Sequence, residues 1–356
     1  MNRRTTMRDV AKAAGVTQAA VSYALRNHPS ISLATRQTIH AIAQKLGYRP
    51  DPMLSAMSVY RQSIKLPKYR GTLAWLENHP TRDGCRKIQA FKDFFLGASE
   101  RAQELGYTLE IFWLREPGLT HQRLSKILLA RNILGLLIAP QPRGRAYLRL
   151  EWERFSVTAM GHSLVQPQFH VVIGNQYLAV VKTMRHLYAL GYRRIGFVST
   201  KFHSESAAHN QLAAFLVEQR RFKSKNPVPV LIVEKGGFSA KSEFLSWYKR
   251  YVPQAIVTTI PEVSDMLKKI GERIPKDVGL ALPNMPCCFE SFSGINMNTY
   301  GIGRVATDFL VSLIHRNEKG IPKAAQRILV DGAWVEGKTV GRINITRKSP
   351  KKLTSS

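Results

Sequence analysis

The sequence predicts an all-α helix-turn-helix headpiece and a hinge, followed by an α/β region of two parallel-sheet subdomains. Three observations carry this reading. The run TMRDVAKAAGVTQAAVSYAL, from Thr6 to Leu25, spaces its apolar residues for two short helices around a single glycine. Beyond Arg70, short apolar runs alternate with longer amphipathic stretches, the pattern of strand–helix–strand units. The chain has 356 residues, enough for two or three compact units, and its 53 Lys and Arg against 24 Asp and Glu give a net charge of +29 that favours a polyanionic partner.

Thr6 is placed to cap the first helix, with Asp9 three residues on in the capping-box position. Val10, Ala11 and Ala14 supply its inner face. Gly15 allows a sharp turn because it lacks a Cβ, Val16 fills the gap, and Thr17 is placed to cap a second helix running to Leu25. Ala20, Val21 and Leu25 fall inward at helical spacing. Gln18, Ala19, Ser22 and Tyr23 fall on the outer side and front end, the part of a helix-turn-helix that meets base edges in the major groove. Ser32 caps a third helix whose Ile39, Ile42, Ala43 and Leu46 complete a small core, and Gly47 ends it.

Ten basic residues against Asp9 and Asp51 give residues 1–65 a net charge of +8, so most of the positive charge lies downstream. Cys85, Cys287 and Cys288 lack zinc spacing and point to a reducing compartment. No apolar stretch reaches the roughly 20 residues of a spanning helix, so a soluble, cytoplasmic, nucleoid-associated protein with no membrane partner is expected. There is no nucleophile elbow, Walker loop or HExxH, and the ten histidines are scattered. Neither an enzyme nor a cofactor or metal site is therefore expected.

Nine apolar runs read as strands: GTLAWL, TLEIFWL, GLLIAP, SVTAMG, HVVIGN, RIGFVST, VPVLIVE, AIVTTI and VGLALP. Phe91 to Leu105, Leu178 to Leu190 and Ser206 to Gln219 read as helices. That is too many strands for one compact sheet. Two similar subdomains are expected, with a ligand crevice between them at the carboxyl ends of the strands.

The run RDVAKAAGVTQAAVSYAL, then Ile31-Ser32, Thr35-Arg36 and LGYRPDP, resembles the headpiece of the lactose/galactose repressor family of bacterial transcription regulators. Downstream, His186-Leu187 with LGYRRIG, then IPKDV and DGAWVEGKT, resemble anchors of that family's effector domain, so the resemblance covers nearly the whole chain. It implies a periplasmic-binding-protein-like effector domain that the chain crosses three times. The implied boundaries are 1–48 for the headpiece, 49–69 for hinge helix and linker, 70–341 for the effector-binding and dimerisation domain, and 342–356 for a basic tail. Subdomain N takes 70–174 and 296–323; subdomain C takes 175–295 and 324–341.

Position by position, the resemblance puts base reading on Gln18, Ala19 and Tyr23, and phosphate contacts on Thr17, Ser22, Asn27, His28 and Thr35. Gln18 suits a bidentate pair with adenine, Ala19 offers a methyl contact, and Tyr23 offers a hydroxyl and a ring. Tyr23 stands where many members carry Arg, and Arg26 where Asn is usual. In the hinge, Leu54 and Met57 fall where the family wedges apolar side chains into the minor groove.

In the crevice the family pattern breaks. Aligned on His186-Leu187, the Asp-Asn pair of sugar-binding members falls on Asn175-Gln176, the Arg on Gln211, the Asn-Asp pair on Thr259-Ile260 and the last Asp on Asn284. The aromatic position is kept as Phe238. Asn175, Gln211, Phe238 and Asn284 are thus the effector-binding candidates, with charge-assisted bonds lost at several positions together. Three readings follow: a different small-molecule effector, either a sugar or an anionic metabolite, a weakly bound sugar, or no effector. The tail, with Arg342, Arg347, Lys348, Lys351 and Lys352, is either solvated or an auxiliary DNA contact. The resemblance implies a homodimeric repressor on a pseudo-palindromic double-stranded DNA operator of carbohydrate-related genes. The alternative is an architectural DNA-binding protein with little sequence preference.

Overall fold

The structure, a computed structural model, describes residues 5–25, 28, 30–48, 69–84, 87–141, 146–223, 226–234, 241–285 and 291–343. The headpiece has three helices, α1 (Met7–Ala14), α2 (Gln18–Leu25) and α3 (Leu33–Lys45). Each begins where a side-chain cap predicts. Thr6 donates its hydroxyl and its backbone N–H to the Asp9 carboxylate, at 2.6 and 2.8 Å. Thr17 Oγ1 accepts from the Ala20 N–H at 3.1 Å, and Ser32 Oγ from the Thr35 N–H at 3.2 Å. Gly15 turns the chain at φ 65°, a conformation a Cβ would oppose.

Val10, Ala11, Val21, Ala24, Ile39 and Ala43 form the buried centre of this unit. Leu46 is not part of it. Its side chain is 38% exposed because it lies past the end of α3, where the chain is already turning into the left-handed Gly47. Ala24, fully buried on α2, is the inward residue that the spacing had not singled out.

From residue 71 the chain runs β1 (Gly71–Glu77), α4 (Gln89–Glu104), β2 (Tyr107–Trp113), α5 (His121–Ala130), β3 (Gly135–Ile138), β4 (Ala146–Tyr147), β5 (Ser156–Met160), β6 (Leu164–Gln166) and β7 (His170–Gly174). It continues through α6 (Gln176–Ala189), β8 (Ile195–Thr200), α7 (Lys201–Ser206), α8 (Asn210–Arg221), β9 (Leu231–Val233), α9 (Lys241–Tyr251), β10 (Ala255–Thr258), α10 (Val263–Lys269) and β11 (Gly279–Met285). It closes with β12 (Ser293–Asn296), α11 (Thr299–Arg316), β13 (Arg327–Val330) and β14 (Ala333–Val335).

Among the described residues these strands make two six-stranded sheets, ordered β13-β7-β5-β3-β1-β2 and β14-β12-β11-β10-β8-β9, and a small parallel pair, β4-β6. Every neighbour pair in them is parallel except β12 with β14. Parallel sheets are covered on both faces, which is why their strands read as unbroken apolar runs. In β1, Ala74 and Leu76 pack into the core under α5, while Leu73 and Trp75 pack under α4 and α11. The second sheet is covered likewise by α6 and α8 on one face and α9 and α10 on the other.

Helices α4 and α11 touch backbone to backbone. A Cβ on Gly97 would stand 2.0 Å from the Tyr300 carbonyl oxygen, and one on Gly303 2.1 Å from that of Phe94. Charge reinforces the pair on its outer side: Arg304 donates to both oxygens of Glu104 at 2.8 Å, and Arg101 bridges Glu104 and Asp308. These hydrogen bonds, Arg304 first and Arg101 second, hold the Glu104 carboxyl down at about 2.

Three boundaries differ from the sequence reading. The final crossing lies at Asp331-Gly332, not before 324, because β13 pairs with β7 in the first sheet and only β14 returns to the second. Subdomain N therefore includes β13. The packed domain also runs past 341 into the expected tail, since the Ile343 N–H donates to Leu190 O at 2.9 Å and its side chain joins the core beneath α6. The helix expected from Ser206 to Gln219 is two helices. Ala208 and His209 take φ 47° and 58°, ending α7, and His209 Nδ1 lies 2.9 Å from Ser204 Oγ.

Candidate nucleic-acid interface and ligand crevice

The second headpiece helix is short, and its burial is one-sided. Val21 and Ala24 are fully buried, whereas Gln18, Ala19 and Tyr23 are exposed. All three base-reading candidates thus share the open side of α2. Thr17 lies at its front, where its Oγ1 accepts the capping bond, and a hydroxyl so used still has a proton to donate. Ser22 is half-buried. Thr35 Oγ1 lies 2.8 Å from Ser32 Oγ at the start of α3.

His28, a phosphate-contact candidate, is exposed and packs against the reading helix. Its ring stacks on Tyr23 with centroids 4.6 Å apart and planes 27° apart. The His28 N–H donates to Tyr23 O at 2.8 Å, and Arg36 Nη2 donates to His28 O at 3.0 Å. On the far side, His28 Nδ1 accepts from the Ser30 N–H at 3.3 Å and lies 2.7 Å from Ser30 Oγ. The loop after α2 therefore holds an imidazole against the tyrosine ring. Asn27 and Arg26, the hinge residues Leu54 and Met57, and Phe238 lie outside the described residues.

In the α/β region, all three crossings leave the carboxyl ends of strands: β7 into α6, β12 into α11, and β13 into β14. This is the topology that opens a crevice beside the strand ends. Asn175 sits at the first crossing. Its Oδ1 caps α6 by accepting from the Leu178 N–H at 3.1 Å, and its Nδ2 donates to Asp331 of the third crossing at 3.0 Å. Lys182 adds a 2.9 Å bond to Gly332 O.

Gln211 is 2% exposed, and its Nε2 donates to Gln176 Oε1 at 2.6 Å. The structure thus brings Asn175, Gln176 and Gln211 together at the starts of α6 and α8. Thr259 bonds inward to Ser199 Oγ and His203 Nδ1, at 2.8 and 3.1 Å, and Ile260 is buried. Burial pushes the His203 imidazole below its usual range. Asn284 stands exposed near the end of β11.

A polar group on the opposite wall had no sequence signal beyond its position after strands. Asn78 Nδ2 donates to Gln141 Oε1 at 3.0 Å, the Gln141 N–H donates to Ser163 Oγ at 2.7 Å, and Arg115 Nε donates to Asn78 Oδ1 at 3.0 Å. These residues follow β1, β2, β3 and β5, so four strand ends of subdomain N converge on one amide-and-hydroxyl network.

Residues 6–51 match the bacterial regulatory proteins of the lacI family, and residues 184–340 match the periplasmic binding protein-like domain. The chain belongs to the lacI family. It is 27% identical over 216 residues to the HTH-type transcriptional regulator PtxS of Pseudomonas plecoglossicida, covering 60% of this chain and 58% of that protein. It is 22% identical to the regulator GntR of Escherichia coli strain K12, across 95% of this chain and 94% of that one.

Among solved structures, the transcriptional regulator CelR–cellobiose complex has the same fold at TM-score 0.58 and 17% identity, over 94% of this chain and all of that one. The lac repressor dimer bound to operator and the anti-inducer ONPF follows at TM-score 0.55 and 18% identity, over 95% of this chain and all of that one. As a lacI-family member the protein is a DNA-binding transcriptional regulator, and its helix-turn-helix is the α1–α2 pair. No helix among the described residues is long and apolar enough to cross a membrane.

Proposed function

We propose that this lacI-family chain acts as a homodimeric repressor of carbohydrate-related genes, reading one half of a pseudo-palindromic operator with each headpiece. It works by binding and release rather than by catalysis. The observation that carries the reading is the open side of α2, where Gln18, Ala19 and Tyr23 are exposed together and Tyr23 is fixed by its stack on His28. A fixed aromatic residue beside an amide is a device for reading base edges, not for gripping any phosphate chain.

Dimerisation is supported by subdomain N, where Ile88 and Leu96 are exposed beside a cavity of about 440 Å³ that Phe91, Phe95 and Ile111 line, next to the edge strand β2. Two-fold pairing matches a palindromic site. Ligand closure at the crossings would alter the spacing of the two headpieces, coupling effector and DNA affinities reciprocally.

The test is selection of a duplex from a randomised pool by the full chain, followed by the ratio of affinities for selected and scrambled DNA at physiological salt. A ratio of at least about 10³ is expected of a specific regulator; a ratio near one would favour the architectural alternative.

The crevice supports an unusual effector. Asn175 and Gln211 spend their amide groups on Asp331 and Gln176, so these polar groups of the wall are already bonded to one another. A neutral sugar would have to exchange those bonds for its own, which leaves little net gain. Calorimetry with common neutral pentoses and hexoses is therefore expected to show no binding in the micromolar range, and micromolar affinity for any of them would remove this reading of the crevice.

A further inference from the structure

At the opposite end of subdomain C, where the strands begin, the structure holds a cavity of about 540 Å³ lined by Arg185, Tyr188, Ala189, Arg193, Arg221 and Phe222. Its size is that of small-molecule sites. Three elements supply the arginines: the last turns of α6, the turn before β8, and the end of α8. Their charge is only partly answered. Among the described residues, the carboxylate that pairs with them is Glu218, whose side chain is 3% exposed. Two helix carboxyl ends add about half a negative charge each, which still leaves an excess of roughly one positive charge.

The bonding shows which guanidiniums are committed. Arg193 serves the end of α6, donating from Nη1 to Tyr188 O at 2.8 Å and Tyr192 O at 3.0 Å. Arg185 and Arg221 instead meet on Glu218, at 3.3–3.5 Å. Those bonds are long against the usual ~2.7–2.9 Å of charge-assisted pairs. Both side chains are more than half exposed, and each gives Glu218 only a minority of its five N–H donors. The wall beside them is apolar and flat: Tyr188 and Phe222 stack with centroids 3.4 Å apart, and the Arg193 guanidinium lies 5.4 Å from the Tyr188 ring.

We propose that this cavity binds a small phosphate monoester, as a ligand site separate from the crevice. A phosphate monoester carries about −1.5 to −2 charges and three terminal oxygens near neutral pH, which suits guanidinium forks arriving from different elements. A carboxylate, with one charge and two oxygens, would engage fewer of them. The stacked rings would receive the carbon portion of the ester. The same two helices reach the crevice at their other ends, through Gln176 of α6 and Gln211 of α8. A ligand here would thus bear on the helices that form the crevice wall.

The test is calorimetric titration of the full chain with phenyl phosphate, inorganic phosphate, benzoate and sulfate at constant ionic strength. Saturable binding of one phenyl phosphate per chain is expected, tighter than for the other three. Glu218→Gln is expected to tighten it by removing the competing negative charge. Replacing Arg185, Glu218 and Arg221 together by Ala, which leaves no buried carboxylate without a partner, is expected to weaken it by at least about tenfold while thermal melting stays cooperative. Equal affinity for all four anions, loss of affinity in Glu218→Gln, or binding that persists in the triple variant would each overturn the proposal. The last would place the anion in the headpiece or the crevice.

Discussion

Replacing Gly303 by Ala is expected to destabilise the α/β region by about 3 kcal/mol or more. At an ordinary position inside a helix the same change would stabilise by up to about 1 kcal/mol, because Ala restricts the unfolded chain and favours helix. Here the sign reverses. The added methyl would lie 2.1 Å from the Phe94 carbonyl oxygen and 2.9 Å from Ala98 N, so α4 and α11 must separate along their contact. That contact also carries the bonds from Arg101 and Arg304 to Glu104 and Asp308, which a separation would lengthen. Gly97→Ala, facing the Tyr300 carbonyl at 2.0 Å, should behave alike. Urea unfolding monitored by tryptophan fluorescence would report it through Trp75, which packs beneath α4 in the same core. An unchanged or higher midpoint in both variants would show that these helices can part at no cost.

Loss of the Tyr23 ring is expected to cost about 1–3 kcal/mol on a selected operator and much less on scrambled DNA, with a similar figure for Gln18→Ala. His28 should act through Tyr23. His28→Ala is expected to weaken the selected site by roughly tenfold, in line with an aromatic pair worth about 0.5–1.5 kcal/mol, while leaving the salt dependence of binding unchanged. His28→Phe should preserve most of the affinity by keeping a ring in the stack. In the double variant the two losses should fail to add by more than about 0.5 kcal/mol. Filter binding of these variants and the parent protein at several salt concentrations would decide. Equal losses on selected and scrambled DNA would return His28 to a phosphate role.

Much of this was legible because local chemistry and tertiary context agreed. Thr6 with Asp9, Thr17 and Ser32 announce helix starts by their side-chain oxygens, and those bonds form. The continuous apolar runs from GTLAWL to VGLALP announce strands buried on both faces. What was not legible lacked such marks. The edge strand β13 alternates exposed and half-buried residues, and Leu329 is 54% exposed, so Arg327–Val330 reads as surface. The break between α7 and α8 rests on left-handed Ala208 and His209, with no glycine or proline to announce it.

In the expected crevice, residue types alone suggested that Asn175, Gln211 and Asn284 stand where sugar-binding members carry charge. They did not reveal that Gln211 would be bonded to Gln176, or that Asn175 would reach across 156 positions to Asp331. Those partners come from elements distant in sequence, and a single chain carries no local trace of them. The Asn78–Gln141–Ser163 network was missed for the same reason.

The shortness of α2 sets a limit on information. Its eight residues expose three side chains, the whole of the proposed reading edge. At about 2 kcal/mol of discrimination each, a single headpiece would prefer its half-site by roughly 10⁴, whereas a genome offers some 10⁶–10⁹ competing positions. Alone it would spend nearly all its time on the wrong addresses. Two coupled headpieces multiply their preferences, to about 10⁸, and cross that threshold without any new kind of contact. On this count the proposed pairing through the large α/β region would give so small a vocabulary the length of a usable word.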